Sequence, residues 1–120
     1  MVSKQIALVM TRAPFAGHAG REGLDAALVA AAYEQELCLC FIGDAVWQLL
    51  PQQEPALAHS KDYLATLKAL PLYEVERLHV CAASLAERGI EPGEIRLPVE
   101  VLAPEALAGL LKQQDAVYRF

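Results

Sequence analysis

LCLCFI, residues 37–42, is apolar at every position, so both alternating faces of the strand it forms can be covered by other layers of protein. Such a strand belongs in the middle of a sheet that carries helices on each side. Gly43 ends the run. Asp44 is placed to cap a short helix through AVWQLL by accepting a hydrogen bond from an unpaired N–H, and Pro51 stops that helix. PQQEPALAHS, residues 51–60, is expected to carry the chain over the surface.

Toward the N-terminus, QIALVM (5–10) reads as a strand and TRAPFAGHAG (11–20), with Pro14, Gly17 and Gly20, as a long loop. Between Arg21 and Tyr33, the residues Leu24, Ala27, Leu28 and Ala31 recur at i, i+3, i+4 and i+7, the stripe of a helix. Ala26, Ala27, Ala30, Ala31 and Ala32 let its backbone approach a sheet or a second helix closely.

Toward the C-terminus, residues 62–70 form a second helical stretch with Tyr63, Leu67 and Leu70 as its stripe, and Pro71 ends it. A third strand spans 75–81 and closes at Cys81. SLAE (84–87) has the spacing of a capping box, although the helix can equally begin at Ala82, and Gly89, Pro92 and Gly93 limit its length. LPVEV gives a strand over 97–101, and Pro104 suits the first position of a helix whose stripe is Leu107, Leu110 and Leu111. AVYRF, residues 116–120, is the last strand. The order β-α-β-α-α-β-α-β-α-β predicts one α/β domain over residues 1–120. It is a three-layer α/β/α sandwich around a mainly parallel five-stranded sheet whose strand order the sequence does not fix.

The 120 residues (13.0 kDa) are 55% hydrophobic and 21% charged, with mean hydropathy +0.27. This surplus over the roughly 45–50% of ordinary domains has two sources to weigh, a sheet buried on both faces and surfaces kept for partner subunits. Ten Lys plus Arg against fifteen Asp plus Glu give a formal charge of −5 without a basic run. Direct nucleic-acid binding, which needs cations against phosphates, is disfavoured. Three cysteines, an odd number, and a start unlike a secretion signal predict a reducing cytoplasm. Apolar runs such as ALVAAAY fall short of the roughly 20 residues that a membrane span needs.

Cys81 is the leading candidate for chemistry. It ends a strand and precedes AASLAERG, and in an open α/β sheet strand ends and helix starts share a crevice where a thiol is activated. The same position also suits a buried cysteine acting as a small hydrophobe. His79 shares the strand face with Cys81 and could stabilise a thiolate, but no Asp or Glu near it in sequence is placed to orient it. Cys38 and Cys40 lie on one strand face and read as packing, since zinc sites use turns that wrap the ion and His18, His59 and His79 lack metal-site spacing. Neither GxGxxG nor GxxxxGK[ST] is present, nor is G-x-S-x-G, which weakens nucleotide and hydrolase readings. Arg12 and the Pro14–Gly20 loop offer anion contacts at best. No cofactor and no metal are expected. Trp47, Leu49 and Leu50 form a bulky apolar patch, either a lid on the core or an interface anchor, with Trp47 and Leu50 as the interface candidates.

RAPFAGHAGREGLDAALVAAA (12–32), LCLCFIGDAVWQLLPQQ (37–53), KDYLATLKALPLYEVE (61–76), VCAASLAERGI (80–90) and DAVYRF (115–120) together resemble the DsrF-like subunits of the DsrE/DsrF/DsrH sulfur-relay family, over essentially the whole chain. The resemblance implies an accessory subunit that joins TusB-like and TusD-like homologues in a cytoplasmic heterohexamer of two heterotrimers. That complex passes persulfide sulfur through a TusE-like carrier to the enzyme that makes 2-thiouridine at the tRNA wobble position. The resemblance also implies that the transferring cysteine belongs to the TusD-like subunit, at the strand-end position that Cys81 matches here. The alternatives are a stand-alone DsrE-like persulfide sulfurtransferase using Cys81 as a homo-oligomer, and a small nucleotide- or flavin-binding module that lacks the phosphate glycines.

Overall fold

The structure, a computed structural model, describes residues 5–11, 36–50, 77–95 and 97–120. The expected loop at 12–20, the helices at 21–33 and 62–70 and the stretch 51–60 lie outside the described residues. All five expected strands are present: β1 Gln5–Met10, β2 Glu36–Phe41, β3 Arg77–Cys81, β4 Val99–Leu102 and β5 Ala116–Arg119. They form a single sheet in the order β4-β3-β2-β1-β5, with every pair parallel. β2 is central, as its unbroken apolar run requires, and Leu37 to Phe41 are all buried.

Strand alternation sorts the core into two layers. On one face Leu8, Met10, Leu39, Phe41, Leu78 and Val80 meet Val46 and Leu49 of the 3-10 helix Gly43–Leu49 and Leu85 of α1, Ala82–Glu87. On the other, Ala7, Val9, Cys38, Cys40 and Cys81 pack with Leu107 of α2, Pro104–Lys112. Helices therefore cover both faces. Phe41, Met10 and Leu39 are among the largest fully buried side chains, and burying each contributes about 1.5–3 kcal/mol.

Two stop and start signals act as their chemistry dictates. α1 ends in a Schellman motif: the Gly89 N–H donates to Ala86 O and the Ile90 N–H to Leu85 O, while Gly89 takes the left-handed φ of +66°. Ile90 then packs in the same core cluster as Leu85. Pro104 occupies the first turn of α2, where its missing N–H costs nothing. Among the described residues no helix is long and apolar enough to cross a membrane.

Candidate functional site

Cys81 is the last residue of β3 and the N-cap of α1. It is at the C-terminal end of its strand, as the sequence predicts. It is also 6% exposed and packs with Ala7, Val9, Cys38, Cys40 and Leu107. A thiol attacks as an accessible thiolate, and this one is closed in.

The surroundings of Cys81 decide one reading that the sequence left open and correct one expectation. Ser84 does not cap α1, which begins at Ala82; its Oγ instead accepts a hydrogen bond from the Gly43 N–H at 2.9 Å. Asp44 does not cap the 3-10 helix either, which has no side-chain cap. Its Oδ1 accepts from Arg88 Nη2 at 2.9 Å and Nε at 3.2 Å, while Arg88 Nη1 donates to Ser84 O at 3.0 Å. In each case a partner supplied by the fold outcompetes the local one. Gly43 makes the turn possible with φ +61°. The C-terminal ends of β2 and β3 are thus tied together by Gly43, Asp44, Ser84 and Arg88.

His79, two residues before Cys81 on the same strand face, is 6% exposed. Its Cα partner on β4 is Glu100, and His79 Nδ1 lies 3.0 Å from Glu100 Oε1. Apart from this contact with Glu100, neither ring nitrogen has a hydrogen-bond partner among the described residues. Burial pushes the imidazole pKa below its ordinary 6.5, Arg77 lowers it further, and Glu100 opposes them without reversing the direction. The imidazole is neutral at pH 7. Glu100 is the acidic neighbour that sequence reasoning missed; the only signal was a glutamate in LPVEV, and the pairing of β3 with β4 was needed to use it.

Cys38 and Cys40 are fully buried in β2, facing the α2 layer, with Arg77 and His79 as their Cα partners on β3. Hydrogen bonding with Cys40 lowers the Cys38 pKa, with burial opposing, whereas the same interaction and burial push Cys40 above the ordinary thiol value. Among the described residues no three His, Cys, Asp or Glu side chains gather closely enough to hold a metal ion. Arg12, the Pro14–Gly20 loop, His18 and His59 lie outside the described residues.

Of the interface candidates, Trp47 is 37% exposed, and Leu50 is partly buried against the core cluster. The order in which strands are added reverses at β1, which has β2 on one side and β5 on the other, the position where open α/β sheets take nucleotides. There the Thr11 N–H and Oγ1 both donate to Phe120 O, at 2.8 and 2.9 Å.

Residues 4–120 match the DsrE/DsrF-like family. Protein TusC of Klebsiella pneumoniae subsp. pneumoniae is 43% identical over 118 residues, covering 98% of this chain and 99% of its own length. Protein TusC of Escherichia coli K12 is 46% identical over 119 residues with the same coverage. The crystal structure of the ychN protein from E. coli superposes with a TM-score of 0.83 at 24% identity, covering 98% of this chain and 99% of that one, a likeness of fold.

Proposed function

The chain belongs to the DsrE/DsrF-like family, and on that footing we propose that it is an accessory, non-transferring subunit of a sulfur-relay complex that supplies sulfur for 2-thiouridine at the tRNA wobble position. The observation that carries this reading is the 43–46% identity to TusC proteins over nearly the full chain. The burial of Cys81 supports it from the physical side. In persulfide transfer an acceptor thiolate attacks the outer sulfur of the donor persulfide, a new S–S bond forms and the donor leaves as a thiolate. An acceptor must therefore be reachable by a second protein, and a sealed strand-end cysteine is not.

The proposed partners are TusB-like and TusD-like subunits in a cytoplasmic heterohexamer, with the TusD-like subunit holding the relay cysteine and a TusE-like carrier receiving the sulfur. A net charge of −5 supports a role without direct tRNA contact. Trp47 and Leu50 are the first residues to substitute at the subunit contacts.

Coexpression with both partners should give a complex that survives size exclusion, as expected of an interface burying at least about 1,200–2,000 Å². Cys81→Ser should assemble and support 2-thiouridine formation near the normal rate, while the equivalent change in the TusD-like subunit abolishes it. A persulfide found on Cys81 by mass spectrometry, together with loss of transfer in an intact Cys81→Ser complex, would overturn the accessory role in favour of a self-sufficient sulfurtransferase. His79 would then be the first activating neighbour to test.

A further inference from the structure

β5 is an edge strand of the sheet, and Val117 and Tyr118, one on each of its faces, are 46% and 54% exposed. The Phe120 N–H donates to Val9 O, and the Phe120 carbonyl accepts from the Thr11 N–H. Alternation along the strand therefore turns the N–H and C=O groups of Val117 and Arg119 away from β1, to an edge that no strand covers among the described residues. We propose that this edge pairs antiparallel with the same edge of a second copy of the chain, about a two-fold axis through Val117. The proposal does not depend on the sulfur-relay reading.

Charge and size select both the occupant and the register. Antiparallel strands pair only where outward groups meet outward groups, so Val117 and Arg119 must face odd-numbered residues of the second copy. With Val117 opposite Val117, Asp115 stands opposite Arg119 at both ends of the contact, the self-complementarity that a two-fold requires. Both residues are exposed; Arg119 has no ion pair among the described residues, and Asp115 gives only its Oδ2 to the Gln5 N–H. Opposite charges facing each other across a strand pair stabilise it, and like charges do the reverse. The same register sets the small Ala116 opposite Tyr118, in the pair without hydrogen bonds where side chains come closest. Sliding one allowed step either way takes Arg119 off Asp115.

The opposite edge, β4, has no such match. Its one charge is Glu100, so pairing β4 with itself brings carboxylates together without a cation. Pairing β4 of one copy with β5 of the next gives Arg119 a partner but leaves Asp115 without one, and it builds an open chain of copies instead of a closed pair. A contact along four residues is smaller than the roughly 1,200–2,000 Å² of standard interfaces, so the pair forms reversibly and its population follows concentration.

The test is sedimentation velocity of the full chain from micromolar to millimolar concentration, where monomer and dimer in equilibrium and no larger species are expected. In the same series amide exchange should slow at Val117 and Arg119, while Tyr118 and Phe120, already bonded to β1, keep their rates. A mixed-labelled sample should show a contact between the α-protons of Ala116 and Tyr118 of different copies. Arg119→Glu and Asp115→Lys each set like charges opposite one another and should weaken self-association about tenfold, whereas an equimolar mixture of the two variants restores both ion pairs and should recover the parent's affinity. Val117→Pro, which removes only an outward N–H, should abolish pairing, and circular dichroism confirms that each variant is folded. The proposal is overturned if the chain stays monomeric at millimolar concentration, if association runs on past the dimer or protects β4 in place of β5, or if the mixture associates no better than its two components.

Discussion

β3 is finished in opposite ways at its two ends. At the C-terminal end, around Cys81, the Gly43 N–H is taken by Ser84 Oγ, the Asp44 carboxylate by Arg88, and the Ser84 carbonyl by the same guanidinium. Toward the N-terminal end, two residues away, the His79 imidazole has only its contact with Glu100, and Arg77 has no counter-ion among the described residues. At Cys81, the residue that the sequence singles out for chemistry, this chain is braced and closed, whereas His79 on the same strand is held by one contact only. A strand-end position that suits reactivity and the accessibility that reactivity needs are therefore separate properties.

The contrast breaks most readily at Leu107, which is 3% exposed and packs in the same cluster as Cys81. Leu107→Ala should cost about 2–5 kcal/mol by urea denaturation, the usual loss plus cavity for a buried leucine. It should also raise the reactivity of the Cys81 thiol toward an aromatic disulfide reagent; a large loss of stability with Cys81 still unreactive would show that packing alone does not seal it. Gly43→Ala is next. A Cβ there has room, the nearest atom being Thr11 O at 3.9 Å, so its cost is the left-handed backbone, about 1–2 kcal/mol in the same denaturation assay.

Arg88→Met should cost less, under about 1 kcal/mol for the ion pair, because the Asp44 side chain is 61% exposed and water screens it. Amide exchange at Gly43 and Ser84 should nevertheless quicken, and unchanged exchange would remove Arg88 from the brace. The smallest effect belongs to the His79 end of β3 and is read through pH. Because burial lowers the folded-state pKa of His79, the unfolded chain takes up the proton first; stability is fully present above the ordinary 6.5 and is lost as the pH falls below it. His79→Gln should abolish that portion of the slope when urea midpoints are compared across pH, and an unchanged slope would assign it to other groups.

Features set by neighbouring residues were legible in the sequence. The unbroken apolar run of β2 placed it at the centre, alternation put Cys38 and Cys40 on one face, Gly89 marked the end of α1, and Pro104 marked the start of α2. Features that needed two distant segments to meet were not. The Ser84 hydroxyl suits a helix cap or a cross-chain contact equally, and the choice was made by a Gly43 N–H arriving from 41 residues away. Glu100 became a neighbour of His79 only through the register of β3 with β4. Trp47 and Leu50 could not be sorted because the segment is a 3-10 helix with three residues per turn, and Leu50 lies at its cap with extended backbone that turns it toward the core.

The pairing of β1 on both sides has a kinetic consequence. Its β2 register begins at Gln5↔Glu36, a separation of 36 − 5 = 31 positions, whereas the reciprocal bonds of Gln5 with Asp115 beside β5 close a separation of 110. Loop closure grows more costly with length, and non-local pairing slows folding. The sheet is thus expected to assemble from β1 toward β4, with β5 docking last. Until then one edge of β1 lies bare, exposing unpaired N–H and C=O groups through which two half-folded chains can stick. Pulse-labelled amide exchange during refolding should show protection reaching β2 before β5, and the yield of refolded chain should fall with concentration through this interval.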